Sequence, residues 1–204
     1  YYPKLQATVP FTPATGPRLL AAGGDIEAQH AAATAIQETT LQSTLSSAHL
    51  TFLPETEANL LGEHGYLRRT DQQFHFFNRD YRDYSDFLDS LASRKRKALR
   101  KEREAALANG ITIHRLTGAE LTETVWDQFF AFYMDTGGRK WGRPYLTREF
   151  FSRVGETMAD DILLVLAKRN GRYIAGAINF IGGERVYGRN WGCIEDHPFL
   201  HFEV

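Results

Sequence analysis

Apolar and polar positions follow a clear pattern in the second half of the chain. Residues 111–116 alternate between apolar and polar side chains, which predicts a strand. Asn170-Gly171 separates two apolar runs and is a strong signal for a two-residue hairpin turn. The pattern predicts a strand at 111–116, helices at 122–136 and 147–158, and strands at 162–167, 173–181 and 185–191.

The first half has shorter patterns and more proline. Pro3, Pro10, Pro13 and Pro17 exclude a helix or a central strand near the start. Asp25 is placed to cap a helix. We predict an edge strand at 5–9, a helix from 25 to 46, a strand at 48–53, a helix at 55–63, and two strands or one bent strand at 66–70 and 73–77.

The character of the chain changes at about residue 80. A short helix is predicted at 83–91, and a strongly charged helix follows at 93–108. From residue 111 the order is strand, helix, helix, strand, strand, strand. Helices and strands in this arrangement predict a mixed α/β chain of the α+β class, with the last three strands forming a meander.

Composition adds few constraints on the partner. The 204 residues are 43% hydrophobic, which is ample for a core, and 24 Lys and Arg nearly balance 25 Asp and Glu. Global charge therefore does not favour nucleic acid or an anionic membrane as partner. The single cysteine, Cys193, excludes an internal disulfide and favours a reducing compartment, so we expect a cytoplasmic location. No transmembrane segment is predicted, because no apolar run approaches about 20 residues.

Multi-residue motifs occur along nearly the whole chain. They include VPFTP at 9–13, GPRLL at 16–20, QFHFFN at 73–78, SRKRKALRKER at 93–103, YLT at 145–147, YGRNWGC at 187–193 and LHFE at 200–203. Together they resemble a family of bacterial N-acyltransferases of peptidoglycan biosynthesis or recognition. That family is similar to the Fem-type ligases of the GNAT superfamily.

The resemblance implies a GNAT-like acyl-CoA N-acyltransferase fold in tandem lobes. Residues 1–80 correspond to the C-terminal part of the first lobe. Residues 81–204 correspond to the second lobe, which begins with a basic connecting helix at about 93–108 and is C-terminally incomplete. The chain opens on Tyr1 and stops in mid-pattern, so we expect it to be truncated at both ends.

The resemblance also implies a function. The chain would move an acyl or aminoacyl group from a coenzyme A thioester or an aminoacyl-tRNA to an amine, in cell-wall precursor metabolism. The alternative is a non-catalytic GNAT-like module that recognises peptidoglycan fragments or acts as a scaffold. The partner is a small-molecule or peptide amine substrate, and tRNA is possible but less favoured. We expect no covalently bound cofactor and no metal, with acyl-CoA as a possible donor substrate.

One segment departs from the family pattern. GNAT enzymes bind pyrophosphate with a glycine-rich loop that should follow Trp191. Here residues 192–198 include Glu195, Asp196 and Pro198, which are poor material for binding an anion. The resemblance therefore gives less support to coenzyme A binding by the second lobe than to the fold.

The strand that contains residues 187–192 is the main candidate site. Alternation places Tyr187, Arg189 and Trp191 on one face and Asn190 on the other. Tyr187, Arg189 and Asn190 are the predicted catalytic residues, because a phenol and a guanidinium can orient a carbonyl or carboxylate. The alternative is a packed sheet with Arg189 in a structural ion pair. The predicted substrate-binding residues are Arg139, Lys140, Trp141, Tyr145, Trp191 and, from the resemblance, Phe11 and Arg18.

The charged helix at 93–108 carries seven basic residues between positions 94 and 103. They are suited to tRNA phosphate, a nucleotide-linked precursor or an anionic membrane surface. The alternative is a solvated helix that is neutralised by nearby acids. Those acids are Asp83, Asp86, Asp89, Glu102 and Glu104.

Overall fold

A computed structural model describes residues 2–9, 13–139 and 144–204. The chain divides into two compact units with the boundary between Phe77 and Asn78. Three residues separate this boundary from the change of character at about residue 80. That the two units are GNAT-like lobes stays a prediction.

The first unit contains two short parallel strands and two helices. Asp25 caps the longer helix as predicted, because its carboxylate accepts hydrogen bonds from the N–H groups of Glu27 (3.0 Å) and Ala28 (3.3 Å). A small core forms around Leu19 and Ala33, with the helical residues Leu60 and Leu61. The elements are β1 (Leu5–Ala7), α1 (Ile26–Gln42), β2 (Ala48–Leu50) and α2 (Glu55–Glu63).

The strands predicted at 66–70 and 73–77 do not form, and this prediction is wrong. Leu67 and Phe74 are 94% and 89% exposed, and neither β1 nor β2 pairs with this segment. A strand needs the backbone hydrogen bonds of a neighbour, so the β-type residue pattern alone does not make one.

The second unit is an antiparallel sheet with two helices on one face. The strand order is β3-β4-β5-β6, and the hairpin between β4 and β5 turns at Asn170 and Gly171 with positive φ angles of 50° and 79°, as predicted. The observed order confirms the α+β class. The elements are α3 (Tyr84–Asp89), α4 (Ser93–Ala106), β3 (Thr112–Leu116), α5 (Glu123–Arg139), α6 (Arg148–Met158), β4 (Ile162–Arg169), β5 (Arg172–Gly182) and β6 (Arg185–Cys193).

The core of this unit lies between the helices and the sheet. Trp126 and Phe132 of α5 and Phe151 of α6 are almost completely buried against Leu164 of β4. The aromatic positions of α5 therefore form the core of this unit, because their helical spacing puts them on one face. This packing fixes the face of the sheet that α5 and α6 cover.

Helix α5 runs three residues beyond its predicted end. The predicted helix ends at residue 136, just before Gly137 and Gly138, but α5 continues through both glycines to Arg139. A Cβ atom on Gly137 would overlap the ring of Pro144, so this glycine permits the close approach of Pro144 to α5. Glycine is typical of helix ends, and the sequence does not show the contact with Pro144 that explains this one.

A second glycine brings α5 onto β6. A Cβ atom on the buried Gly192 would overlap the backbone carbonyl of Phe132, so the helix backbone and the strand backbone are in direct contact there. No other residue type fits at this position without moving the helix or the strand.

We predict that Gly192→Ala lowers the free energy of unfolding of the second unit by about 1–3 kcal/mol, because the new methyl group overlaps backbone atoms that cannot rotate away. Urea denaturation followed by tryptophan fluorescence reports this unit, since all three tryptophans lie between residues 126 and 191. Gly138→Ala is the matched control. Its Cβ would meet no atom within 4 Å, and alanine favours a helix by about 0.5–1 kcal/mol. Equal stability of the two variants would contradict the close contact.

Candidate functional site

Strand β6 contains a β-bulge at Arg189. Asn190 pairs with Ile178 and Gly188 pairs with Asn179, so Arg189 has no partner on β5. An extra residue of this kind bends the strand and changes the direction of its side chains. The bulge therefore sets which side chains of β6 face α5 and α6.

The bulge corrects the predicted facing of the strand. Tyr187 lies opposite Phe180 and Asn190 lies opposite Ile178, both of which pack in the core under α5 and α6. Trp191 lies opposite Ala177, on the other face. The predicted grouping of Tyr187 with Trp191 is wrong, because strict alternation fails across an inserted residue.

Arg189 is held by a tyrosine from the loop before α6. Its guanidinium donates a hydrogen bond to the hydroxyl of Tyr145. The backbone of that loop is itself fixed, because the hydroxyl of Tyr133 accepts from the N–H groups of Tyr145 (3.1 Å) and Leu146 (3.0 Å). Tyr145 is 47% exposed, so the pair is open to a ligand. Two of the predicted site residues are thus brought together.

Arg139 joins the end of α5 to the end of β6. It pairs with Asp135 one turn earlier, and it donates to the backbone carbonyl of Cys193 at 2.9 Å. The hydrogen bond with Asp135 raises the pKa of Arg139. Burial raises the pKa of the Cys193 thiol, which keeps it protonated and makes it a poor nucleophile. Both contacts of Arg139 are therefore to the protein itself, and they link the end of α5 to the end of β6.

The segment after β6 carries a fixed carboxylate. Glu195 accepts hydrogen bonds from His197 (3.1 Å), Arg169 (3.0 Å) and Arg172 (2.8 Å). These hydrogen bonds, with that from His197 the largest, lower the pKa of Glu195 to about 2. Two arginines that flank the β4–β5 hairpin are thereby tied to residues 192–198. The carboxylate remains negative where a pyrophosphate loop would need positive charge.

Two buried oxygen atoms lie between α5 and β6. The side-chain oxygen atoms of Asn190 and Thr136 have no hydrogen-bond partner among the described residues. The Thr136 hydroxyl lies about 3.0 Å from the position that a Cβ on Gly192 would take. Thr136 was absent from the predicted site, because nothing in the sequence shows that α5 meets β6 at Gly192.

The remaining predicted residues do not lie with Arg189 and Tyr145. Trp191 packs on the other face of the sheet, with its ring 6.2 Å from that of His201. Arg18 belongs to the first unit, where its guanidinium donates to the backbone carbonyls of Ala14, Gly16, Pro17 and Thr51. It therefore holds a loop together. Phe11, Lys140 and Trp141 lie outside the described residues.

The described ranges hold neither a metal-binding cluster nor a helix that could span a membrane. Residues 2–9, 13–139 and 144–204 contain no cluster of three or more His, Cys, Asp or Glu side chains that could hold a metal ion. The helices in those ranges are too short or too polar to cross a bilayer.

Comparison with known proteins gives one family. The family model named FemAB-like, described as peptidoglycan biosynthesis/recognition, matches residues 1–204. No curated protein matches the chain.

We predict that Glu195→Gln lowers the stability of the second unit at pH 5 and removes part of its acid sensitivity. The folded-state pKa of Glu195 is about 2 and lies below its ordinary value of 4.5, so its contribution is present above pH 4.5 and is lost as the pH falls towards 2. The difference in Tm between wild type and variant should therefore shrink from pH 5 to pH 2.

Thermal unfolding of Glu184→Gln is the control for this experiment. Glu184 is exposed in the turn before β6 and makes no ion pair among the described residues. A Glu195→Gln variant with the same Tm as Glu184→Gln at pH 5 would show that the three hydrogen bonds do not stabilise the fold.

Proposed function

Because the chain belongs to the FemAB-like family of peptidoglycan biosynthesis and recognition, we propose that it is an N-acyltransferase acting on an amine of a cell-wall precursor. The observation that carries this proposal is the hydrogen-bonded pair of Arg189 and Tyr145 beside the bulge of β6. The pair brings a donor from β6 and a donor from the loop before α6 to the same place. Acyl transfer needs donors of this kind at the carbonyl oxygen.

The chemistry of the pair suits the transition state of acyl transfer. When an amine attacks an acyl carbon, negative charge develops on the carbonyl oxygen, and prearranged donors stabilise it. Arg189 is always charged and carries five N–H donors. Its hydrogen bond to Tyr145 polarises the phenol and makes the hydroxyl a stronger donor. Arg189 and Tyr145 would then orient the carbonyl, with Tyr187 and Asn190 on the helix-facing side of the same strand.

The position of β6 in the sheet supports binding of an extended donor. β6 is the last strand in the order β3-β4-β5-β6 among the described residues, so one side of its backbone faces away from β5. An extended acyl or peptidyl chain can bind along such an edge through backbone hydrogen bonds. The bulge would place Arg189 next to the acyl group of a donor bound in this way.

The charge of the segment after β6 bears on the donor. Glu195 keeps its negative charge across the physiological pH range. It forms ion pairs with Arg169 and Arg172, so these two arginines are not free to bind a phosphate. A pyrophosphate at residues 192–198 would be repelled by this carboxylate. We therefore propose an aminoacyl ester, as in aminoacyl-tRNA, as the donor in preference to a coenzyme A thioester bound at this segment.

A second candidate function is non-catalytic recognition of peptidoglycan fragments. It is favoured because Cys193 and His197, which could offer a nucleophile and a base near the end of β6, are both unsuited to that role. The pKa of Cys193 is raised by burial, and His197 is hydrogen-bonded to Glu195. Without a free base or nucleophile there, acyl transfer would have to rely on positioning and on the Arg189–Tyr145 pair, with the amine losing its proton to solvent.

We predict that Tyr145→Phe and Arg189→Gln each lower kcat for aminoacyl transfer by roughly 100-fold, because each removes one donor to the developing oxyanion. The assay would supply aminoacyl-tRNA, an aminoacyl thioester or acyl-CoA, together with a muropeptide amine. Arg185→Gln is the matched control on the same strand, since Arg185 is exposed and makes no ion pair among the described residues.

Two outcomes would overturn parts of this proposal. Unchanged kcat in both site variants, with the control also active, would show that the chemistry lies elsewhere. Muropeptide binding without transfer from any donor would favour the recognition function. Thermal unfolding of each variant separates a loss of chemistry from a loss of fold.

A further inference from the structure

Helix α4 holds a dense set of positive charges, of which few are neutralised. Two of its basic residues make ion pairs. Arg96 pairs with Asp89 at 2.7 Å, and Arg103 pairs with Glu203 at 3.3 Å. The others make no ion pair among the described residues, and they are Arg94, Lys95, Lys97, Arg100 and Lys101.

Of the five acids expected to neutralise the helix, Asp83 and Asp86 are engaged elsewhere, and Glu102 and Glu104 make no ion pair among the described residues. Asp83 caps α3 by accepting from the N–H group of Asp86 at 3.0 Å. Asp86 pairs with Arg82 at 2.6 Å, and this hydrogen bond lowers the pKa of Asp86. Of the three aspartates around α3, Asp89 alone pairs with a basic residue of α4. The expected neutralisation therefore covers a small part of the charge.

The unpaired charges concentrate on one side of the helix. At 100° per residue, Arg94, Lys97, Arg100 and Lys101 fall within an arc of about 120°. All four are exposed, and they lie opposite the side that holds the fully buried Ala106. Glu104 is the one acid on the same arc. We call these four residues the basic face of α4.

Helix stability does not explain this arrangement. Positive charges at a helix N-terminus oppose the helix dipole, and a polar cap would normally satisfy the first N–H groups. α4 has no acidic residue in its first turn, and its N-cap, Ala92, offers no side-chain hydrogen bond. The positive charges therefore destabilise this end of the helix, and an external anionic partner would offset that effect.

We propose that the basic face of α4 docks on an anionic lipid surface. The face lacks aromatic side chains for stacking on bases, since Ser93 is the only uncharged residue of α4 on this arc. Its apolar side is turned into the protein, so the helix does not insert into the bilayer. Each Lys or Arg close to an anionic membrane contributes roughly a fivefold gain in binding, and the attraction falls off within a Debye length. The contact is electrostatic and independent of the acyl-transfer site.

Sedimentation of the full chain with vesicles tests this proposal. The vesicles contain 30% phosphatidylglycerol in phosphatidylcholine, with pure phosphatidylcholine as the uncharged reference. We expect binding to the anionic vesicles alone and its loss in high salt. The variant with Arg94, Lys97, Arg100 and Lys101 all changed to Gln should bind on the order of several hundred-fold more weakly.

The matched control removes four positive charges that are spread over the chain. Arg69, Arg79, Arg115 and Arg185 are exposed and make no ion pair among the described residues, so their replacement by Gln preserves net charge relative to the test variant. This control should keep nearly all of the vesicle binding. Equal loss in both variants would overturn the proposal, as would wild-type binding to a short RNA duplex but not to the vesicles. Circular dichroism confirms that each variant is folded.

Discussion

The close contact between α5 and β6 at Gly192 is the constraint on which the second unit depends. Because no Cβ separates the strand from the carbonyl of Phe132, the C-terminal half of α5 lies directly over the end of β6. Arg139 can then reach the carbonyl of Cys193. A second close approach brings Pro144 against Gly137 of α5. At both glycines a side chain would collide with the neighbouring segment, with the Phe132 backbone at Gly192 and with the Pro144 ring at Gly137.

The bulge at Arg189 turns this scaffold into a candidate site. It breaks the alternation of β6 at the point where the loop before α6 supplies Tyr145, so a guanidinium and a phenol meet on an edge strand. The carboxylate of Glu195 lies in the segment after β6. Its three hydrogen-bond donors keep it charged, which makes residues 192–198 unfavourable for binding phosphate. The same unit thus presents donors for a carbonyl and a barrier to a pyrophosphate, which together favour an aminoacyl ester as donor.

The sequence predicted the regular elements of the second unit well, because each depends on a local pattern. These patterns are apolar alternation, helical spacing and the Asn170-Gly171 turn. Its residue types also predicted Tyr145 and Arg189 as site residues, and the two are in contact. What it missed depends on distant partners. The bulge reverses the facing of Trp191, Gly137 continues a helix, and the segment at 66–77 stays unpaired despite its β-type residues. Local spacing carries no information about such contacts.

The central claim is that the bulged edge of β6 binds the acyl donor, and amide chemical shifts test it most directly. The titrant is a stable amide analogue of an aminoacyl-adenosine ester. Binding should shift the backbone N–H signals of Gly188, Arg189 and Asn190 strongly, and those of β3, at the opposite edge of the sheet, very little. Saturable binding that leaves the β6 signals unchanged while shifting those of another element would contradict the account.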